Sequence, residues 1–137
     1  MKYDLLGIGN ALVDIEVCVD DEFIKQNSLT KGGMTLLSVE KQNKILKELH
    51  GLSTKISSGG SAANTIHGLS ILGGEAYYIG RVANDVYGKH YVEDMRSCGV
   101  SFSGTGNSLS DTGTCVILVT PDSERTMLTH LGASSLL

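Results

Sequence analysis

At 137 residues the chain is long enough for one domain with a buried core. Hydrophobic residues make up 41% and charged residues 19%, a globular balance that excludes a disordered polyelectrolyte. A formal net charge of −4, no run of Lys or Arg, no Trp and 5% aromatics argue against nucleic-acid partners and base-stacking platforms.

Cys18, Cys98 and Cys115 are scattered, odd in number and without a C-x-x-C pair. They read as free thiols of a reducing compartment, so a cytoplasmic protein is expected. The start Met1-Lys2-Tyr3-Asp4 has no signal-peptide core, and no window approaches the length of a membrane span.

Residues 4–9 (DLLGIG) read as a buried strand that ends in glycine. Gly7-x-Gly9 invites a dinucleotide-binding reading, but that fingerprint needs a small residue at position 12 and then a helix. Position 12 is Leu, and Val13, Ile15, Val17 and Val19 alternate with Asp14, Glu16, Cys18 and Asp20. The period of two makes 12–19 a half-exposed strand after a bend at Gly9-Asn10. By itself this bend makes Asn10 a turn residue and Asp14 a solvent-face charge.

A short helical turn follows over 21–26 with Asp20 or Asp21 as cap, then a turn at 30–33 and a short strand at 34–37. Ser38 caps a helix over 39–50 that presents Ile45, Leu46 and Leu49 and stops at Gly51. Residues 54–58 (TKISS) form a strand that delivers Gly59-Gly60. Ser61 is the expected N-cap of a helix to about residue 72, with Ala62, Ile66, Leu69 and Leu72 on its apolar face. Gly has no side chain to hold a ligand off, and Asn64 sits in the first turn, so this helix end is a candidate small-molecule site. An ordinary strand–turn–helix connection is the competing reading.

Residues 76–82 read as a strand. Asn84 or Asp85 caps a helix over 86–98, with Tyr87, Tyr91, Met95 and Cys98 as its buried stripe. His67 is a surface or half-buried side chain, without a second ligand at metal-site spacing. Residues 101–110 read as a polar connection. Residues 112–120 and 125–131 read as two arms of a hairpin around Pro121-Asp122-Ser123-Glu124. The alternation implies a parallel, helix-covered sheet from 4–9, 54–58 and 76–82 and a β-only sheet from 12–19, 34–37, 112–120 and 125–131. A small β lid over an α/β body accounts for both, with the Gly59-Gly60 helix end as floor and Asp14 at the base of the lid.

Taken together, Gly9-Asn10-x-x-x-Asp14, Gly59-Gly60-Ser61-Ala62-Ala63-Asn64, Gly73-Gly74, the run Ile79-Gly80-Arg81-Val82-Ala83-Asn84-Asp85-x-x-Gly88, and Thr112-Gly113-Thr114 resemble the N-terminal part of ribokinase-like (PfkB) carbohydrate kinases. The form of the Ser61–Asn64 segment is similar to the adenosine-kinase-like branch. The resemblance covers the whole chain in order. It implies an incomplete ribokinase-like α/β domain over 1–137, with a lid from about 12–19, 34–37 and 112–131 and a body from about 4–9 and 39–100.

For function, the resemblance implies an ATP-dependent phosphotransferase with an alcohol acceptor, acting on a primary hydroxyl of adenosine or a related sugar. Asp14 would hold two sugar hydroxyls; Asn10, Gly59, Gly60, Ser61 and Asn64 would contact the same substrate; Arg125 would reach over it; Leu12 and Cys115 would be apolar walls on the lid side. ATP and Mg²⁺ would belong to the full-length enzyme, with neither binding tightly to this chain. The family's Asp-Thr-x-Gly-Ala-Gly-Asp-type motif is missing from the sequence, as are its Asn-x-x-Glu motif and any G-x-x-x-x-G-K-[ST] loop. No catalytic or metal-binding residue is therefore expected in this chain, which would need the C-terminal half and be inactive alone. Pairing of lid strands into a homodimer is a further expectation. The alternatives are a non-catalytic nucleoside- or sugar-binding or complementation module, and a kinase of free ribose, fructose or ketodeoxygluconate.

Overall fold

The computed structural model describes residues 2–106 and 109–137. Met1 and two residues of the polar connection expected over 101–110, Asn107 and Ser108, lie outside the described residues. The chain forms two compact units. One holds residues 1–13, 57–113 and 131–137, and the other residues 14–56 and 114–130.

The first unit is built on a three-stranded parallel sheet, β1 (Leu5–Ile8), β5 (Ala76–Val82) and β6 (Ser101–Thr105), with β5 in the middle. The glycine turn opens α3 (Ser61–Ile71), and α4 (Val86–Ser97) follows β5. In β5, Ala76, Tyr78, Gly80 and Val82 are buried and the alternate residues are only half-buried. Both helices lie on the buried face. A side chain at Gly7 would come within 2.6 Å of Ile66 on α3, and Phe102 stacks between Tyr78 and Tyr91 of α4, with ring centres 5.9 and 5.6 Å away. Aromatic packing of this kind contributes about 0.5–1.5 kcal/mol per pair beyond the area it buries.

Residues 101–105 were expected in a connection, yet they form β6. The apolar signal is a single Phe in a serine-rich segment, too sparse to show a strand period. What selects the strand is tertiary: half-buried Phe102 packs against Tyr78 and Tyr91, and Gly104, at φ 127°, lets the carbonyl of Gly80 occupy the space a side chain would need.

Asp85 caps α4, as the sequence suggests for one of two residues. One carboxylate oxygen accepts from Gly88 N (2.7 Å) and Thr112 Oγ1 (2.7 Å), the other from Thr112 N (2.8 Å). Burial alone would raise the pKa of Asp85, but these donors outweigh it and hold the carboxyl below its usual 3.8. Of the expected α4 stripe, Tyr91 and Met95 are buried, while Tyr87 and Cys98 are half-buried. His67 is half-buried against the Cys98 thiol, 2.7 Å away. Leu72, expected on the apolar face of α3, is 86% exposed; Ala63 and Ile66 carry the packing.

The second unit holds most of a five-stranded sheet with the order β3-β8-β7-β2-β4, comprising β2 (Leu12–Cys18), β3 (Met34–Leu36), β4 (Thr54–Gly59), β7 (Gly113–Val119) and β8 (Arg125–His130). β7 and β8 form the expected hairpin, registered from Thr114↔His130 to Val119↔Arg125. Its turn is closed by Ser123 N to Thr120 O (2.8 Å) and by Thr120 Oγ1 donating to Asp122 (2.7 Å). α1 (Asp21–Gln26) is capped by Asp20, which accepts from Phe23 N at 2.8 Å.

Two assignments differ from the sequence reading. Residues 54–58 were placed in the parallel sheet with 4–9 and 76–82, but β4 lies beside β2 in the five-stranded sheet. A six-residue strand with no clear alternation carries no information about which sheet takes it. Residues 39–50 were placed with the body, but α2 (Val39–Glu48) groups with the second unit. Its anchor is Gln42, 2% exposed, whose amide donates to the carbonyls of Thr114 (3.2 Å) and Leu128 (3.0 Å) and accepts from Thr114 Oγ1 (2.6 Å). All of Gln42's partners belong to the hairpin, so the amide ties α2 to β7 and β8.

Replacing Gln42 with Ala removes a second donor from two carbonyls of the β7–β8 ladder and leaves the buried Thr114 hydroxyl without its acceptor. An unsatisfied buried hydroxyl costs about 1–3 kcal/mol, and the lost bonds add to it. Urea unfolding of Gln42→Ala is expected to show a loss of at least about 2 kcal/mol; a loss below about 0.5 kcal/mol would mean that water replaces the amide.

Candidate functional site

The expected site residues fall into two groups, one in each unit. In the first unit, β1 ends at Ile8 and the chain bends through Gly9 and Asn10. α3 starts next to this bend. Gly60 is the N-cap, at φ 104° and ψ 134°, without a side-chain cap; Ser61, the expected cap, is the first helical residue. The reason is steric. The carbonyl oxygen of Asn10 occupies the space where a side chain at Gly60 would stand, so only glycine fits between the bend and the helix. Ala62 lies next to Gly9, where an added Cβ would come within 2.9 Å. Asn64, exposed in the first turn, donates its N–H to the carbonyl of Gly60 (2.8 Å). Gly59 is buried, and its carbonyl accepts from Tyr91 Oη at 3.2 Å.

This geometry decides what the helix end suits. Gly60 was expected to leave room for a ligand, but a carbonyl oxygen takes that room. An acceptor there repels phosphate and welcomes hydroxyl or amide donors. The turn does not suit the phosphates of a nucleoside triphosphate. Leu12, half-buried, also lies in the first unit, with its side chain 2.6 Å from where a Cβ at Gly113 would be.

In the second unit, Asp14, Glu16, Arg125 and Cys115 form one electrostatic cluster. Arg125, the first residue of β8, pairs with Glu16 at 2.9 Å. Asp14 is half-buried, and its carboxylate has no hydrogen-bond donor among the described residues. Burial raises its pKa above 3.8, Arg125 opposes the rise, and Glu16 adds to it. Cys115, 5% exposed, has its thiol pKa raised mainly by burial, with the Asp14 charge adding to the rise; Thr129 Oγ1 contacts its sulfur at 3.4 Å. Glu16 is the member the sequence reading passed over. Its signal was available: two residues from Asp14 on a strand, it must share the same face.

Among the described residues no group of three or more His, Cys, Asp or Glu side chains is arranged to hold a metal ion, and no helix is long and apolar enough to cross a membrane.

The family model for pfkB family carbohydrate kinases matches residues 34–137. Adenosine kinase 2 of Arabidopsis thaliana is 29% identical over 140 residues, spanning 98% of this chain and 40% of its own length. Among solved structures, adenosine kinase from Sinorhizobium meliloti superposes with a TM-score of 0.91 at 40% identity, over 100% of this chain and 42% of that one. A probable sugar kinase from Rhizobium etli CFN 42 gives 0.89 at 39% identity, over 98% and 41%. The chain thus spans about two fifths of the length of the relatives it matches.

A carboxyl whose folded-state pKa lies above its unfolded value favours the folded state below the unfolded pKa and loses that contribution as pH rises through the folded pKa. Asp14 is therefore a cost to stability at neutral pH. Asp14→Asn is expected to melt at a higher temperature than the parent at pH 7, with the gain shrinking as pH approaches 3.8. Thermal unfolding followed from pH 3 to pH 8 checks this, and an unchanged or lower melting temperature at pH 7 would contradict it.

Proposed function

The chain belongs to the pfkB family of carbohydrate kinases, and from that membership we propose that it is the substrate-binding portion of a nucleoside kinase, with adenosine as the preferred acceptor. The observation that carries the reading is Asp14. A half-buried carboxylate that burial pushes above its usual pKa, with no donor among the described residues, is a candidate for binding a ligand rather than for holding the fold. Two adjacent hydroxyls of a ribose would supply the missing donors in a charge-assisted, bidentate contact. Arg125 and Glu16 hold the charge balance around it.

The second group, Asn10, Gly59, Gly60, Ser61 and Asn64, is proposed to contact the substrate through its carbonyl and amide groups. Leu12 and Cys115 are proposed as apolar walls that exclude water. In phosphoryl transfer the acceptor hydroxyl must be held in line with the donor, and holding it is the part this chain performs. ATP, with Mg²⁺, supplies the phosphoryl group when bound; no described residue is assigned to either. The reading places the protein in the cytoplasm, where ATP and nucleosides are found.

A free sugar such as ribose or fructose is the second reading. It is favoured by the strong likeness to a probable sugar kinase, which equals the likeness to the adenosine kinase in identity to within one per cent.

Titration of the chain with adenosine, ribose and fructose, followed by amide NMR shifts, separates the two readings. Adenosine is expected to bind tightest and to perturb Asp14 and Asn64, and Asp14→Ala is expected to weaken it at least tenfold, about 1.4 kcal/mol. Tighter binding of a free sugar would select the second reading, and no binding of any would remove both. With ATP, Mg²⁺ and adenosine present, the 137-residue chain is expected to form no AMP; chromatographic detection of AMP would overturn that part.

A further inference from the structure

Between the end of α1, β3 and α2 the second unit holds a cavity of about 350 Å³, at the small end of ligand-sized clefts. Buried Ile45 of α2 and half-buried Leu37 give it an apolar lining. Lys41 and Lys44 of α2, Ser28 after α1 and Thr35 of β3 line it as well. None of these residues belongs to the cluster of Asp14, Glu16, Arg125 and Cys115.

Three residues of this lining are local choices that work against the fold. Ser28 closes α1 in a Schellman turn: its N–H donates to the carbonyl of Lys25, and that of Leu29 to the carbonyl of Ile24, both at 3.0 Å. The turn holds Ser28 at φ 52°, a left-handed conformation for which glycine is the unstrained choice. Lys41 is the third residue of α2, at the positive end of the helix dipole, where acidic side chains are favoured. Lys44 follows one turn on and on the same side of the helix, so two like charges are neighbours. Neither ammonium has a carboxylate at ion-pair distance among the described residues; the ion pairs there belong to Lys31 and Arg125. Acidic residues are not scarce, since the chain carries a net charge of −4. Glu40 and Glu48 stand one turn before and after Lys44, yet neither pairs with it. The hydroxyls of Ser28 and Thr35 likewise make no hydrogen bond among the described residues.

We propose that this cavity binds a small organic anion, a phosphate ester or a carboxylate with a compact carbon body. The two ammonium groups supply charge and donors, and the two hydroxyls supply further donors to the anionic oxygens. An anion held there relieves the repulsion between Lys41 and Lys44 and meets the positive end of α2. Leu37 and Ile45 cover the carbon body, a gain that a bare inorganic ion cannot make. Choices that disfavour the fold and converge on one cavity mark a place where stability has given way to binding.

The test titrates the 137-residue chain, without any nucleoside, with butyl phosphate, butyrate, butanol and inorganic phosphate, each followed by amide NMR shifts. Butyl phosphate or butyrate is expected to move the amides of Ser28, Thr35, Lys41 and Lys44, and the tighter of the two names the head group. Butanol and inorganic phosphate are expected to bind at least tenfold more weakly. Replacing both lysines, Lys41→Gln with Lys44→Gln, is expected to weaken the organic anion at least tenfold. In the absence of ligand this double variant and Ser28→Gly are each expected to melt at or above the temperature of the parent. No shift at these amides, equal binding of butanol or inorganic phosphate, or binding indifferent to the lysines would contradict the proposal. A lower melting temperature of either variant would do the same, because the residues would then be serving the fold. The Asp14 group contributes nothing to the cavity, so the result stands apart from whether a nucleoside binds.

Discussion

One carbonyl oxygen fixes the first unit. The Asn10 carbonyl sits where a side chain at Gly60 would be, so the bend after β1 and the start of α3 meet backbone to backbone. Any other residue at position 60 would have to adopt φ near 104° and displace that oxygen as well. The close approach sets the direction of α3, and α3 in turn places Ile66 over Gly7 and Ala62 beside Gly9. It also leaves the helix without a side-chain cap, so its first amides remain oriented toward the bend. A tight structural contact and a polar, acceptor-lined helix end are the same feature.

The second unit answers a different problem. Its hairpin is held by a buried amide, Gln42, with every polar atom of the side chain engaged. Buried polar groups that are fully satisfied specify one arrangement, because sliding the helix or the strand by one residue would orphan all of them. Against that fixed frame stands Asp14, whose carboxylate is half-buried with no donor among the described residues. The Gln42 amide is fully engaged, whereas Asp14 has no donor among the described residues. That contrast gives Asp14 its functional meaning, since a chain able to engage Gln42 fully could have done the same for an aspartate.

β1 is an edge strand of the three-stranded sheet, with β5 as its one neighbour. Leu5-Leu6-Gly7-Ile8 is written for the interior of a sheet, with apolar side chains on both faces of the strand. α3 and α4 cover one face, and on the other Arg81 of β5 donates to the carbonyl of Leu136 while Leu6 and Ile8 stay exposed.

Much of the architecture could be read from the residues. Strand 12–19 showed itself by strict alternation, α2 and α4 by Ser38 and Asp85 ahead of apolar stripes, and the β7–β8 hairpin by Pro121-Asp122 between β-branched arms. Each of these signals is local, fixed by side-chain period or capping chemistry within a few residues. Asn64 and the Gly59-Gly60 pair were singled out in the same way, whereas Asp14 stood out only through the resemblance to the kinase family. Tertiary structure alone decided which sheet takes residues 54–59, that α2 joins the hairpin, and that 101–105 is a strand. It also decided why Gly60 must be glycine and what surrounds Asp14. These depend on partners far away in sequence: Gln42 on Thr114 and Leu128, Phe102 on Tyr78 and Tyr91, Gly60 on Asn10, and Glu16 on Arg125. Residue patterns set the elements because hydrogen-bond period and capping act over one turn or one strand. They leave the pairing of elements open because a short strand or a glycine carries no mark of the neighbour it will meet.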